Sequence, residues 1–473
     1  MIKMQALREI SQIDISNVDK KTRNNQTKVR LCNFVDVYRN WAITEGIFRR
    51  LMPATANEAQ IKRFTIHKGQ VAITKDSETR DDIGISSYIA DELENTVLGY
   101  HCALISANER VLLGSYLNVV LHSPYAQKYF EANASGSGQR YTLTNEIIGG
   151  LPVPLPDIAE QKIIGDFFSD IDRKIANNNA TCTDLEAMAK LLYDYWFIQF
   201  DFPDENGKPY KSSGGKMVWN DALKREIPEG WILAPVKTVC NTKLGGTPDT
   251  GNAGFWNGDI PWLNSGEVAT SPVLCAEKTI TEKGMRESTT SFSKAGSVII
   301  SITRYIRPAI LGIDSCYNQS VVAIEPTSDF RAEFLYPFFL SQVNRYMGLR
   351  TGAQQPHINK AVIDNTVMIC PPKIVLEQYY RIVEPLFEKQ LLEAKSAVEL
   401  AELRDFLLPL LINGQVTICA ASKEEDPEPK IHNDTWYDKR FALWLENQGL
   451  AARGNVDRAT LREIFDAMDD DDK

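Results

Sequence analysis

The sequence lacks most local signatures of enzymes and membrane proteins. Its 8 cysteines (Cys32, Cys102, Cys182, Cys240, Cys275, Cys316, Cys370, Cys419) contain no Cys-x-x-Cys pair, which argues against zinc and for reduced, structural thiols. No apolar run approaches the roughly 18 residues that span a bilayer, and the start, MIKMQALREISQIDIS, has no signal-peptide core. The 5 histidines (His67, His101, His122, His357, His432) are far apart, with no His-Glu-x-x-His. No phosphate loop occurs: Ser213-Gly214-Gly215-Lys216 has the wrong spacing. No Gly-x-Gly-x-x-Gly follows a strand pattern, and Pro371-Pro372 is not part of an Asn-Pro-Pro-aromatic tetrapeptide. No Ser/His/Asp or Cys/His arrangement stands out, although a catalytic group assembled in space leaves no such trace. These absences describe a cytoplasmic binder with no membrane partner, no metal and no cofactor of its own.

What is present is ordinary in bulk. At 473 residues, 43% hydrophobic and 24% charged, the chain is globular and long enough for two to four domains. Its net charge of −10 speaks against a nucleic-acid partner, but 14 acids and 8 bases fall after residue 420. The rest is close enough to neutral to carry basic faces.

The strongest pattern is repetition. LPVPLPDIAEQ (residues 151–161) is answered by MICPPKIVLEQ (368–378): an apolar run broken by prolines, a Glu-Gln pair, then helical spacing. Strand-like stretches recur in the same order: 29–37 with 260–268, 64–75 with 292–301, and 100–106 with 318–324. A helical stretch at 112–130 matches 334–342, and the turn-rich 134–144 matches 351–359. The alternative is two unrelated domains that share strand chemistry.

Each half ends in a long helix. Ile164, Ile171, Asn178, Leu185 and Leu192 occupy one heptad position, and Phe168, Ile175, Cys182, Ala189 and Trp196 the other. This is a coiled-coil seam with a polar Asn at its middle, unless Asn177–Asn179 break the helix. The second helix spaces Val383, Phe387, Leu391, Ala394 and Val398, then shifts to Leu400, Leu403, Leu407 and Leu410, and Pro385 should kink it. About 40 helical residues span roughly 60 Å, which suits a spacer between halves. The Gly-, Pro- and Ser-rich stretch 201–230 reads as a surface linker. After KEEDPEPK, a C-terminal extension has helical faces through Tyr437, Phe441, Trp444 and Leu445 and through Leu461, Ile464, Phe465 and Met468.

Candidate DNA contacts are turn residues able to meet phosphates or base edges. In the first half these are Arg23, Asn25, Lys28, Lys75, Arg80, Arg140 and Tyr141. In the second they are Lys243, Asn252, Asn264, Arg304, Arg307, Gln354, Gln355 and His357. Taken singly, each is more simply a solvated loop residue.

GGTPDTGNAGFWNGDIPWLNSGEV (245–268), the two Pro-rich stretches ending in Glu-Gln, and FDFPDENGKPYKSSGGKMV (200–218) resemble the specificity subunit of type I restriction-modification systems over residues 1–416. The first half departs, with Arg30-Leu31 where the second has Pro261-Trp262. The resemblance implies an α+β chain with two similar mixed α/β target-recognition domains in pseudo-twofold arrangement, joined by two long antiparallel coiled-coil helices. The implied boundaries are recognition domains at 1–155 and 231–372, spacer helices at 156–200 and 373–415, a linker at 201–230, and an extension at 416–473. Such a subunit is not catalytic. It reads a bipartite target in double-stranded DNA and recruits two DNA methyltransferase subunits, which carry S-adenosylmethionine, and restriction (helicase-nuclease) subunits. The competing reading is a coiled-coil assembly scaffold without DNA readout.

Overall fold

A computed structural model describes residues 3–136, 138–352 and 354–412. The C-terminal extension and its two apolar faces lie outside the described residues. The chain forms two compact units, Met1–Arg173 with Ala401–Lys473, and Lys174–Leu400, so each long helix is divided between them.

In the first unit, Lys3–Ala6 pairs antiparallel with Pro152–Leu155, which carries the prolines of the first repeated stretch. A five-stranded sheet runs Ser11–Ile15, Cys102–Ala107, Val71–Thr74, Ser86–Ile89, Ala42–Ile43. Its small neighbour runs Met52–Ala56, Thr27–Cys32, Thr96–Leu98, with the last pair parallel.

The second unit repeats the plan. Ile232–Pro235 pairs with Val367–Cys370. One sheet runs Asn241–Leu244, Val321–Glu325, Val298–Ser301, Arg307–Ile310. The other runs Lys278–Ile280, Trp256–Leu263, Ser315–Tyr317, Ser291–Ser293, again with one parallel pair, Trp256–Leu263 on Ser315–Tyr317. Two unrelated domains would have no reason to share strand order, direction and a parallel pair at the same place in the second sheet. The duplication read from the sequence is therefore present in the fold.

Local details depart from the sequence reading for identifiable reasons. Residues 29–37 are not one strand: the strand ends at Cys32, and the Asp36 carboxylate reaches back to accept from the Asn33 N–H at 2.8 Å at the start of the helix Phe34–Arg39. Of 64–75 only Val71–Thr74 is strand, after a turn with Gly69 at φ 93°. The helical stretch after 112 splits into Gly114–His122 and Pro124–Asn133, because Ser123 caps the second helix and Pro124 cannot donate to the first. Within 201–230, a hairpin pairs Met217–Asn220 with Arg225–Pro228, while Phe202 and Ile227 join Phe200 and Trp231 in the core. Apolar side chains buried in a polar-looking segment had been masked by its Gly, Pro and charge.

The first long helix, Ile158–Tyr193, runs unbroken through Asn177–Asn179 and ends in a π-helical turn, Asp194–Ile198. Ile164, Phe168, Ile171, Asn178, Leu185, Ala189 and Trp196 are buried, as the heptads require. The second, Lys373–Ile412, continues through Pro385. Its buried line is Val383, Gln390, Ala397, Leu400 and Leu407, so Gln390 replaces the expected Leu391. Within the second unit the helices run antiparallel: Trp196 meets Tyr379, and Cys182 lies against the Gln390 carbonyl at 3.4 Å. The two Glu-Gln pairs differ in role. Gln161 is fully buried and fastens the strand-to-helix corner, donating to Val111 and Pro156 carbonyls and accepting from the Leu113 N–H, whereas Gln378 is exposed.

Two glycines explain a sequence motif. A Cβ on Gly245 would lie 2.2 Å from the Asn318 carbonyl, and one on Gly246 would lie 2.4 Å from Thr289 Oγ1. The Gly-Gly of Gly-Gly-Thr-Pro lets two backbones meet. Among the described residues no helix is long and apolar enough to cross a membrane.

Candidate nucleic-acid interface

In the first unit, strand Val71–Thr74 runs directly into Lys75 and Asp76, and Asp76–Ser77 pairs with Tyr141–Thr142. This short ladder brings together residues 25 to 66 positions apart in the chain. Asp76 is buried and surrounded by donors. Its Oδ2 receives Lys75 Nζ at 2.9 Å, His101 Nδ1 at 2.8 Å and Arg140 at 3.1 Å, and its Oδ1 receives Thr142 Oγ1 at 2.8 Å. Burial alone would raise the carboxyl's pKa, but the donations from His101, Lys75 and Thr142 outweigh it and hold it at about 2. The His101 ring packs at 3.7 Å on Tyr100 and edge-on to Phe34. Arg80 lies over the Tyr141 ring at 5.2 Å. Lys75, Arg80, Arg140 and Tyr141 therefore share one surface, with two cations anchored on a single carboxylate.

The second unit has its own version at the same place in the repeat. Strand Val298–Ser301 leads to Thr303, which bridges antiparallel to His357 as Asp76 does to Thr142. Arg304 follows at φ 61°, a left-handed conformation that costs a non-glycine residue about 1–3 kcal/mol. Its N–H donates to the Pro356 carbonyl at 2.8 Å, and its own carbonyl accepts from the Arg350 guanidinium. Arg307 lies over the Tyr305 ring at 4.8 Å. Arg304, Tyr305, Arg307 and Gln355 line a concave site of about 550 Å³ with Ser265 and Ser301. His357 Nδ1 lies 3.1 Å from the Gln355 carbonyl, and Gln354 is exposed beside it.

The remaining candidates lie elsewhere. Arg23 pairs with Asp19 at 2.8 Å, and its N–H donates to Thr55. Asn25 and Lys28 are exposed at the start of the small sheet, with Lys28 opposite Thr55. Lys243 is held by Glu325 and by the Phe292 carbonyl at 3.0 Å. The side-chain oxygens of Asn252 and Asn264 cap the N–H groups of Gly254 and Gly266 in tight turns. Asp76, His101 and Arg350 complete the two clusters, and no local motif in the sequence marks them. Only the acid adjoining Lys75 offered a local hint.

The sequence matches the family described as the type I restriction modification DNA specificity domain over residues 6–187 and 228–402, one match per repeat. It is 24% identical over 405 residues to the type I restriction enzyme HindI specificity subunit of Haemophilus influenzae, covering 74% of this chain and 87% of that one. It is also 24% identical over 315 residues to the MjaIX specificity subunit of Methanocaldococcus jannaschii, covering 65% and 70%. The crystal structure of a type I restriction-modification S subunit from M. genitalium shares the fold, with TM-score 0.51 and 15% identity over 87% of this chain and 96% of that one. With both repeats matched and most of its length covered, the chain belongs to the type I restriction modification DNA specificity domain family.

Proposed function

We propose that this chain reads a bipartite target in double-stranded DNA, one half per repeat, as the specificity subunit of a type I restriction-modification complex. The observation that carries this reading is that each repeat lays an arginine over a tyrosine beside the corresponding β-bridge, the ring coming from Tyr141 on the far strand in one and from Tyr305 on the near side in the other. Guanidinium groups held on aromatic faces suit phosphate and base-edge contacts, and they offset locally an acidic overall charge. Residues 1–155 and 231–372 are the recognition domains in this reading, and 156–200 and 373–415 are their helices.

The chain is non-catalytic in this reading. Two methyltransferase subunits supply adenine methylation and carry S-adenosylmethionine, restriction subunits supply helicase-nuclease activity, and the complex acts in the cytoplasm. Met188, Leu191, Tyr195 and Ile198 form an exposed apolar line at spacings of three and four residues, which suits a helical partner subunit.

The test is a selection of bound duplexes from a random pool by the chain with its methyltransferase partner. Salt-sensitive enrichment of a two-part motif supports the reading. Sequence-blind binding, or none, favours the scaffold. The chain alone, given S-adenosylmethionine and DNA, should transfer no methyl group; transfer would overturn the non-catalytic assignment.

A further inference from the structure

We infer that Arg304 is the specificity-determining residue of the second recognition domain, reading a guanine edge, while Arg307 on Tyr305 holds a phosphate. This rests on the DNA-reading function proposed above.

Three observations separate Arg304 from the cations around it. First, its backbone is fixed on both sides. Ile302 N–H donates to Ser320 and Ile358 N–H to Ile302, at 2.9 and 3.0 Å, while Arg304 itself is tied to Pro356 and Arg350. Second, no hydrogen bond or ion pair holds its guanidinium among the described residues, so the donor fork is available. Arg350, by contrast, uses its guanidinium on the Arg304 and Met347 carbonyls. Third, its left-handed φ of 61° is a conformation that glycine would adopt without strain. An arginine kept at a glycine-favouring position of a concave site points to a use for its side chain rather than its backbone.

An unoccupied guanidinium on a fixed stretch of backbone matches the two acceptors that guanine presents in the major groove, and such a pair separates right from wrong bases. Arg307 is different. Its guanidinium lies on the Tyr305 ring, and Tyr305 is itself 61% exposed. That arrangement suits the backbone of DNA, which carries charge but no sequence.

The experiment uses the chain with its methyltransferase partner and a panel of duplexes carrying every base at each second-half-site position. Both methylation rate and retention are read. Arg304→Ala should lower discrimination by roughly 10- to 100-fold at one guanine position and leave the first half-site preference intact. Arg304→Lys keeps the charge and should fail in the same way. Arg304→Gly relieves the backbone, so it should melt no lower than the parent while also losing discrimination. That result would exclude a folding role. Arg307→Ala should weaken all sequences alike and reduce the salt slope by about one phosphate's worth.

If the parent complex is selective and Arg304→Ala keeps the full preference, or loses affinity equally for every duplex, the assignment of Arg304 is overturned while the DNA-reading function stands. If the parent complex shows no sequence preference, both fall.

Discussion

The Nδ1 atom of His101 lies 2.8 Å from Oδ2 of Asp76, and the same oxygen receives Lys75 and Arg140. A buried carboxylate that collects three nitrogen donors organises the candidate surface of the first unit. Asp76→Asn should therefore destabilise that unit by about 1–3 kcal/mol at pH 7. The carboxyl is held at about 2, below its ordinary 3.8. Its contribution is thus complete above about pH 4 and lost as pH falls through 2. Urea unfolding of parent and variant should show a gap at pH 7 that closes toward pH 2; a gap independent of pH would contradict the anchoring role.

His122 and Asp172, both in the first unit, should oppose each other in acid. His122 is stacked on Trp41 at 4.2 Å, and burial pushes it from 6.5 down to about 4. The stability it confers by staying neutral is present above about pH 6.5 and lost as pH falls toward 4. Burial pushes Asp172 from 3.8 up to about 6, against the partial pull of Arg404 and Arg173. The fold therefore gains stability as Asp172 takes up its proton below about pH 6. Between pH 7 and 5 each effect amounts to about 1–2 kcal/mol, with opposite sign. The parent protein should be nearly flat across this window in urea titrations. Asp172→Asn should lose stability on acidification, and His122→Gln should gain it.

Gly245→Ala should lower the melting temperature. A Cβ there meets the Asn318 and Tyr317 carbonyls at 2.2 and 2.3 Å, and forcing the strand apart costs about 1–3 kcal/mol. Gly348→Ala is the contrasting case. It lies in the helix Ala332–Leu349 with nothing within 4 Å of an added Cβ, and it should stabilise by about 0.5–1 kcal/mol. Equal effects in a thermal scan would refute the close-approach account of the Gly-Gly motif.

Asn178→Leu should raise the urea midpoint. Asn178 is 1% exposed in the helix seam, and its Nδ2 finds no hydrogen-bond partner among the described residues. An unsatisfied buried amide costs about 1–3 kcal/mol. Its retention at a seam position suits a register-fixing role. A midpoint that falls would show that the amide is satisfied in solution.

The repeat was legible because its parts are local. Prolines at residues 156, 371 and 372 mark where each last strand ends, and heptads at Ile164–Trp196 announce the seam. Three kinds of detail were not legible. The helix Phe34–Arg39 was hidden inside a β-branched run because Asp36 reaches back to the Asn33 N–H only once the chain turns. Gln390 took a seam position over Leu391 because the partner helix, rather than local hydrophobicity, sets which face is inside. The aromatic residues around the 217–228 hairpin looked solvent-borne until the core they fill was in place.

Local patterning in the sequence is enough to establish that this protein is a duplication, each half closing on a strand bordered by proline and a long amphipathic helix. Periodicity, proline and glycine act over a few residues and leave their marks in order. Which polar residues stand together was set by the fold. It drew Lys75, His101 and Arg140 onto the Asp76 carboxylate, and it held Arg304 free while tying Lys243 to Glu325. Those choices depend on pairings between strands far apart in the chain. Such pairings are fixed by the sheet register of each unit rather than by neighbours in sequence.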